Sequence, residues 1–484
     1  MNVTDYDDMY DAVVVGGGIS GLIGAATLAA DNFRVLLIEQ NTTPGGCCAT
    51  FSRNTFHFDT GTSSLSGLSP QGRFRKILDT IGIKQEFLRP GIRETIISPH
   101  FTLAIPADKE ALKATLIQQF PEEKEPLLSF FNIIDGTRGH TAKRNTDTFL
   151  NTIREFSFSN ELIFLFEALL GNLGLPADQV DANTGIAFFR EYVFDGGYYP
   201  VGGMRSLANS LLRLVRANGG KTILGHKVDL FSGDSQRIRA VRLDDGREFM
   251  AATFIAAMDA SKVITEMTPP PVRYTVLKDR LSLRSPSPSA FMVFLGIDCP
   301  IKQLTKHQGH LLCLPEGSMA EIYRSLSSDE LLFATEGYVY IIAPSRVDPG
   351  MAPEGCESLC LFVMAPYRDA EFWQRHRQQM IETLLARAEK NLPGLSKHIK
   401  VIDSATPLTI ARYTGGLGGA TYGWQALPEQ SGISRLSPVT AWENLFLAGH
   451  WTRPGSGISS AAYSGFLAAK MVKRQIYSKN KQTT

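Results

Sequence analysis

The chain contains few cysteines, six in 484 residues, and no excess of charge of either sign. Because no C-x-x-C pair and no His/Cys cluster with metal-ligand spacing occurs, the sequence excludes a disulfide scaffold and predicts no bound metal. Lys and Arg number 49 against 48 Asp and Glu, which leaves a formal charge of +1. We therefore expect no nucleic-acid partner and no general attraction to anionic lipid.

The sequence also lacks a clean apolar run long enough to span a bilayer. The longest, residues 162–175, includes Glu167, Gly171, Asn172 and Gly174, and a spanning helix needs about 20 apolar residues. Residues 1–12 lack the basic and apolar parts of a secretory signal, so we expect a cytoplasmic protein. Residues 161–170 either pack in the core or form a peripheral, monotopic membrane contact that admits a lipid-soluble substrate.

The first chemical motif follows a short valine-rich segment, residues 11–15, which is typical of a strand buried on both faces of a parallel sheet. Gly16, Gly18 and Gly21 come next in G-x-G-x-x-G spacing and open an Ala-rich helix. A second buried strand ends at Glu39, about twenty residues beyond the glycines, where a carboxylate can bind a ribose hydroxyl. This order predicts a dinucleotide site, with the pyrophosphate at the helix N-terminus.

The segment after Glu39 is not a helix, unlike the next unit of most NAD-binding folds. Gly45 and Gly46 form a turn, residues 50–58 alternate like a strand, and Asp59 to Gly61 form another turn. Near the C-terminus, LFLAGHWTRPGSGISSAAYSG runs from a short strand through a Gly/Ser-rich turn into a helix. This second turn lacks G-x-G-x-x-G and a following acid, so it does not predict a second dinucleotide.

These segments, with YYPVGGM at 198–204, resemble the FAD-containing amine oxidase and phytoene desaturase superfamily. Within it, FDTGTSSLSGLS and the C-terminal turn are similar to the desaturase, carotenoid isomerase and retinol saturase branch. The resemblance implies an α/β fold: a Rossmann-like FAD-binding fold of the glutathione-reductase type, with an inserted substrate domain of mixed sheet and helices. We expect the FAD domain from residues 1–75, 195–265 and 405–484, a helical substrate region at 76–194 and a substrate-binding sheet at 266–404.

The resemblance implies FAD as the cofactor and a set of positions along it. In this family the C-terminal helix begins beneath the N1 and C2=O edge of the flavin, where free N–H groups favour its reduced, negatively charged form. The positions that match are Gly16, Gly18, Gly21, Glu39, Gly45, Gly46, Asp59, Gly61, Val228, Gly449, His450, Gly457 and Ile458.

No catalytic residue can be assigned from the sequence, and several candidates keep two interpretations. His57 and Asp59 are candidates for a general acid or base, although Asp59 also suits a backbone-binding turn. His450 replaces the acid usual in amine oxidases and either contacts the ribityl chain or is a satisfied core residue. Arg190 and Glu191 either line a cavity or form a pair at the surface. Cys47 and Cys48 are either redox-active or packed against the flavin.

The resemblance implies an FAD-dependent oxidoreductase that desaturates or saturates carbon-carbon bonds of a polyene, carotenoid-like or other isoprenoid lipid. The sequence leaves the electron acceptor open: a quinone, oxygen or none. Redox-neutral cis-trans isomerisation of a carotenoid is a second hypothesis, and flavin amine oxidation is a third. A non-enzymatic alternative is a prenyl-binding module similar to Rab GDP dissociation inhibitors, which lack the intact glycine fingerprint retained by this chain.

Overall fold

The computed structural model describes residues 9–136, 147–271, 274–327 and 331–483. Its strands are β1 (Tyr10–Val15), β2 (Val35–Glu39), β3 (Thr50–Arg53), β4 (Phe56–Asp59), β5 (Phe87–Leu88), β6 (Ile92–Ile97), β7 (Thr102–Pro106), β8 (Tyr199–Pro200), β9 (Lys221–Leu224), β10 (Val228–Gly233), β11 (Ile238–Leu243), β12 (Glu248–Ala256), β13 (Ser289–Ile297), β14 (His310–Cys313), β15 (Val339–Ile342), β16 (Glu357–Ala365), β17 (Ile399–Ala405) and β18 (Leu445–Leu447).

Its α-helices are α1 (Ile19–Ala30), α2 (Arg73–Thr80), α3 (Lys109–Gln119), α4 (Lys124–Ile134), α5 (Phe149–Arg154), α6 (Asn160–Leu170), α7 (Ala182–Phe188), α8 (Met204–Ala217), α9 (Ala260–Lys262), α10 (Tyr274–Ser282), α11 (Met319–Arg324), α12 (Leu332–Thr335), α13 (Ala370–Glu389), α14 (Leu395–His398), α15 (Pro407–Thr414) and α16 (Ile458–Thr483). In the part of the chain described, no helix has both the length and the apolarity to cross a bilayer.

The first seven-stranded sheet contains a parallel core in the order β18, β12, β1, β2, β9. The β10–β11 hairpin extends it by pairing antiparallel with the first half of β12. In β1, Val14 faces the helices α1, α8 and α16, and Val13 and Val15 face a second core on the opposite side. The run of three valines is therefore buried on both faces, as the sequence predicts.

The second seven-stranded sheet has the order β17, β13, β16, β15, β14, β6, β7 and is antiparallel except where β14 pairs with β6. Strands β6 and β7 lie within residues 76–194, the stretch assigned to helices from sequence, so that stretch is not all helical. Residues 161–170 form most of α6, whose Leu165, Phe166 and Leu169 are buried. Most apolar side chains of this segment pack in the core, and Ile163 and Phe164 are the apolar ones that are partly exposed.

A two-stranded hairpin joins the two sheets. Residues 50–58, predicted as one strand, fold into β3 and β4 around Asn54, which has a φ of 52°. The Phe51 ring lies 4.9 Å from that of Phe294 in β13, edge to face. A Cβ on Gly296 would lie 2.7 Å from the Phe56 ring, so the hairpin packs closely against the second sheet.

Helices α1 and α16 lie side by side against the first sheet. A Cβ on Gly465 of α16 would lie 1.9 Å from the carbonyl oxygen of Ser20 in α1, and one on Gly24 would lie 3.4 Å from the carbonyl oxygen of Gly465. These small residues permit close backbone approach. The two helices follow parallel strands, β1 and β18, and therefore begin at the same edge of the sheet.

Candidate cofactor site

The turn between β1 and α1 needs two of its three motif glycines for internal packing. Gly16 has a φ of 103°, and a Cβ there would lie 2.4 Å from the Ala257 carbonyl oxygen. A Cβ on Gly21 would lie 1.8 Å from the carbonyl oxygen of Gly16. Gly18 differs, because its Cβ would meet no atom within 4 Å. Internal packing therefore does not require glycine there, and the open space leaves room for a ligand close to the backbone.

The N-terminus of α1 is open to an anion. Its N-cap, Gly18, has no side chain to accept from the first-turn N–H groups, and no acidic residue stands in that turn. An uncapped helix end with a positive dipole is a phosphate-binding element. The residues present therefore fit a dinucleotide pyrophosphate.

Glu39, at the end of β2, is buried and fixed by backbone donors. Its Oε2 accepts from the Gly17 N–H at 2.5 Å, and its Oε1 accepts from the Asn41 N–H at 2.8 Å. Burial raises the pKa of Glu39, and the hydrogen bonds oppose this rise. The carboxylate thus lies beside the glycine turn, as expected of a group that binds a ribose hydroxyl.

The turn at Gly45 and Gly46 lies against the first glycine loop. The Gly45 N–H donates to the carbonyl oxygen of Gly17 at 2.8 Å. Gly45 and Gly46 have φ values of 128° and 57°, a conformation that favours glycine. Gly61 is in contact range of this turn as well, because its Cβ would lie 3.8 Å from Cys47. Two turns of the predicted site thus converge here.

Asp59 anchors the chain around the end of β4. Its Oδ1 accepts from the Thr50 hydroxyl at 2.6 Å and from the Met204 N–H at 3.2 Å, and its Oδ2 accepts from the Tyr199 hydroxyl. Burial raises its pKa to about 6, although these hydrogen bonds oppose the shift. Its oxygens are occupied by three donors, which favours the turn interpretation over that of a general base.

Val228 lies apart from the glycine turns at the start of β10. Its side chain is buried in the core with Val13 and Ile38. The neighbouring His226 N–H donates to the Glu39 backbone carbonyl oxygen at 3.2 Å, which brings this turn beside Glu39. A contact of Val228 with the adenine end therefore stays a prediction.

Gly449 and His450 follow β18. The Gly449 N–H donates to the Ser464 hydroxyl of α16 at 3.1 Å, which ties the turn to the helix. The His450 ring packs edge to face on Trp451 with centroids 5.4 Å apart. Burial, and secondly the Arg435 guanidinium, lowers the pKa of His450 to about 4, so the ring is neutral at neutral pH and has one donor and one acceptor nitrogen.

The start of α16 is a second open helix end. Gly457 has a φ of 91°, a Cβ on it would meet nothing within 4 Å, and it is followed by Ile458 and no acidic residue in the first turn. The buried Ser459 hydroxyl has no partner among the described residues. Exposed N–H groups of this kind favour negative charge. The arrangement fits the reduced-flavin edge that the resemblance places here.

The contacts of His57, of the two cysteines and of the 190–191 pair are those of residues that support the fold. The His57 Nδ1 is 2.8 Å from the Ser52 hydroxyl across the β3–β4 hairpin. Burial raises the pKa values of Cys47 and Cys48, which leaves both as thiols and opposes thiolate chemistry. Arg190 donates a hydrogen bond to the Ile134 carbonyl oxygen, and Glu191 forms an ion pair with Arg73.

The site combines two open helix ends with the Glu39 carboxylate and the glycine turns. This combination, on a fold with two large sheets, indicates a flavoprotein oxidoreductase. The chain belongs to the flavin-containing amine oxidoreductase family, whose model matches residues 19–473. FAD is the cofactor that this membership and the site indicate.

Its similarity to characterised proteins extends over almost the whole chain. It is 24% identical to prolycopene isomerase of Arabidopsis thaliana, covering 97% of this chain and 84% of that protein. It is 23% identical to the lycopene-forming phytoene desaturase of Pantoea ananas, covering 96% and 100% respectively. The fold is shared with an oxidoreductase of Methanosarcina mazei at 17% identity and a TM-score of 0.67, covering 95% and 99%.

Proposed function

We propose that this protein is an FAD-dependent oxidoreductase that acts on carbon-carbon bonds of a polyene, carotenoid-like or other isoprenoid lipid. The observation that carries the proposal is the candidate cofactor site with its two open helix ends, together with the similarity along the chain to prolycopene isomerase and phytoene desaturase. A small cavity of about 20 Å³ beside Asp59 and Gly61, between the hairpin and the second sheet, has walls that are mostly hydrocarbon and sulfur. They include Phe58, Met292, Ile342, Leu359, Cys360 and Phe362.

The flavin would supply hydride acceptance or donation, which is the difficult chemistry of such a reaction. The protein would hold the substrate carbon in place, exclude water and favour negative charge at the N-terminus of α16. No general base is assigned, because Asp59 is engaged by Thr50, Tyr199 and Met204. The Gly45, Gly46 and Gly449 turns would lie along the cofactor, with Val228 at its adenine end, His450 at the ribityl chain, and Gly457 and Ile458 at the flavin ring.

Redox-neutral isomerisation is the second candidate, favoured by the similarity to prolycopene isomerase. Product mass separates the two. A change of two hydrogens excludes isomerisation, and an unchanged mass with an altered absorption spectrum excludes net desaturation or saturation.

Amine oxidation fits the family but has less support, because His450 stands where amine oxidases usually have an acid. The prenyl-binding alternative is opposed by the intact fingerprint of Gly16, Gly18, Gly21 and Glu39.

A peripheral membrane contact remains part of the proposal, with a quinone or oxygen as electron acceptor. Ile163 and Phe164 are partly exposed and would make the contact. The wide cleft that they line also contains charged side chains, among them Arg154, Glu161, Glu167 and Asp178. Co-sedimentation of the FAD-loaded protein with liposomes tests this contact. Protein that stays in the supernatant at every lipid concentration contradicts it.

The decisive test combines flavin absorbance of the purified protein with an analysis of lipid extracts from cells. Flavin absorbance bands that bleach on addition of substrate or reductant are expected, and a folded protein that binds no flavin overturns the proposal. Lipid extracts from cells with and without the gene, compared by mass and absorption, identify the substrate class and the direction of the reaction.

A further inference from the structure

A group of arginines lies under the loop that precedes α16. Arg435 is 4% exposed, and its Nη2 donates to the carbonyl oxygens of Tyr422 at 3.3 Å, Trp424 at 3.4 Å and His450. Its Nε is buried and has no hydrogen-bond partner. The guanidinium therefore retains an unused donor inside the protein.

Arg284, in the connection between α10 and β13, adds a second guanidinium. Its Nη2 donates to the Ser434 carbonyl oxygen, and its CZ lies 5.8 Å from the centre of the Trp424 ring. Its Nε and Nη1 are buried and have no partner among the residues that the structure describes. Burial first, and the charge of Arg284 second, lowers the pKa of Arg435 to about 10.

The backbone of Arg453 lies beside the segment that follows Arg435. Its N–H donates to the carbonyl oxygen of Leu436, the residue after Arg435, at 3.0 Å, and the buried Arg453 Nε also lacks a partner among the described residues. The group is close to the candidate cofactor site, because Arg435 Nη2 is 3.3 Å from the Ser456 hydroxyl. A Cβ on Gly455 would lie 3.5 Å from Arg435 Nε.

No carboxylate in residues 9–136, 147–271, 274–327 or 331–483 forms an ion pair with Arg284, Arg435 or Arg453. Burying a charge without a counter-charge is costly, and so is leaving its N–H groups unbound. Like charges gathered at one place increase that cost. A bound anion would remove all three costs together.

We propose that Arg284 and Arg435 form a binding subsite for a phosphate-type oxyanion. Guanidinium groups suit such oxygens because they present several N–H donors in a fixed plane. The oxyanion has two sources, a phosphate of FAD or free phosphate from solution. The first source rests on the proposed function, and the second is independent of it.

The experiment compares Arg284→Gln with Arg280→Gln. Arg280 is an exposed residue of the neighbouring α10, so its substitution removes the same charge without touching the buried donors. For each protein, the FAD dissociation constant is measured by flavin fluorescence. The thermal midpoint of the apoprotein and of the FAD-loaded protein is measured in inorganic phosphate and in chloride of matched ionic strength, with ³¹P line broadening as a direct binding readout.

If FAD supplies the oxyanion, Arg284→Gln weakens FAD binding by roughly ten- to a hundred-fold, as loss of a charge-assisted hydrogen bond predicts, and Arg280→Gln leaves it unchanged. If the oxyanion is free, phosphate stabilises the FAD-loaded wild type and Arg280→Gln but not Arg284→Gln. Unchanged FAD affinity together with no specific phosphate effect overturns the subsite.

Should Arg284→Gln fail to fold, Arg284→Lys keeps the charge but loses the planar donors and is expected to weaken the same ligand by a smaller factor. Wild-type protein that binds no FAD contradicts the proposed function alone, because the phosphate measurements still test the subsite.

Discussion

The three glycines of the first turn make separable contributions, because only two of them are fixed by packing. At Gly18 the backbone is extended, with φ at −70°, and the space around a Cβ is open. We expect Gly18→Ala to fold with unchanged or slightly raised apoprotein stability, by up to about 1 kcal/mol, and to bind FAD at least roughly tenfold more weakly. Isothermal titration with FAD and urea unfolding of the apoprotein measure the two effects.

Gly21→Ala is the matched control for Gly18→Ala. Its Cβ would lie 1.8 Å from a backbone oxygen, so the apoprotein should lose roughly 1–3 kcal/mol or more of unfolding free energy. Equal behaviour of the two variants would show that the open space at Gly18 has no connection with a ligand.

Asp59 predicts a pH effect on stability. Its pKa rises from 3.8 to about 6 on folding, a difference that corresponds to at most about 3 kcal/mol. Because the folded-state pKa is the higher one, the neutral carboxyl favours folding below about pH 4. That contribution disappears as the pH rises to about 6.

Asp59→Asn removes this titration while retaining the shape of the side chain. The unfolding free energy of the wild-type apoprotein should therefore fall relative to that of Asp59→Asn between about pH 4 and pH 7. Urea unfolding of both proteins across this range measures the difference, and parallel pH profiles would contradict the assignment.

At the scale of elements, α1 and α16 are held in one orientation by their glycine contact. Gly465→Ala would place a Cβ 1.9 Å from the Ser20 carbonyl oxygen, a backbone atom that cannot rotate away. The helices must separate, so we expect a loss of roughly 1–3 kcal/mol in stability together with weaker FAD binding, since both helix ends face the cofactor site.

Gly24→Ala, whose Cβ would lie 3.4 Å from the Gly465 carbonyl oxygen, is the mild counterpart at the same interface. Differential scanning calorimetry and FAD titration distinguish the two variants. If Gly465→Ala is as stable as Gly24→Ala, the helices tolerate a wider separation than the structure indicates.

Local patterns explain why some elements were predictable. The β1–α1–β2 unit could be predicted because its signals, from the valines to Glu39, lie within thirty residues, and the structure confirms it. Membership of β6 in the second sheet was missed, since its parallel partner β14 is more than two hundred residues away: Glu94 lies opposite His310. The arginine group was missed for the same reason, because Arg284 and Arg435 meet only through folding.

At the scale of the whole molecule, the two sheets are coupled through the β3–β4 hairpin. Phe51 and Phe58 lie 4.9 Å and 5.7 Å from Phe294 of the second sheet, and Asp59 at the end of β4 binds the Met204 N–H at the start of α8. A ligand held by the first sheet and the turns around this hairpin should therefore stabilise both sheets together.

We accordingly expect one calorimetric unfolding transition whose midpoint rises with FAD concentration. At a free concentration one hundred times the dissociation constant, linkage gives about 2.7 kcal/mol. Gly18→Ala should reduce this rise while leaving the midpoint of the apoprotein unchanged or slightly raised. Two transitions, of which FAD moves only one, would show that the hairpin contacts are too weak to couple the sheets. Hydrogen exchange would then assign the moving transition, because the amides of β1 and β13 report on the two sheets separately.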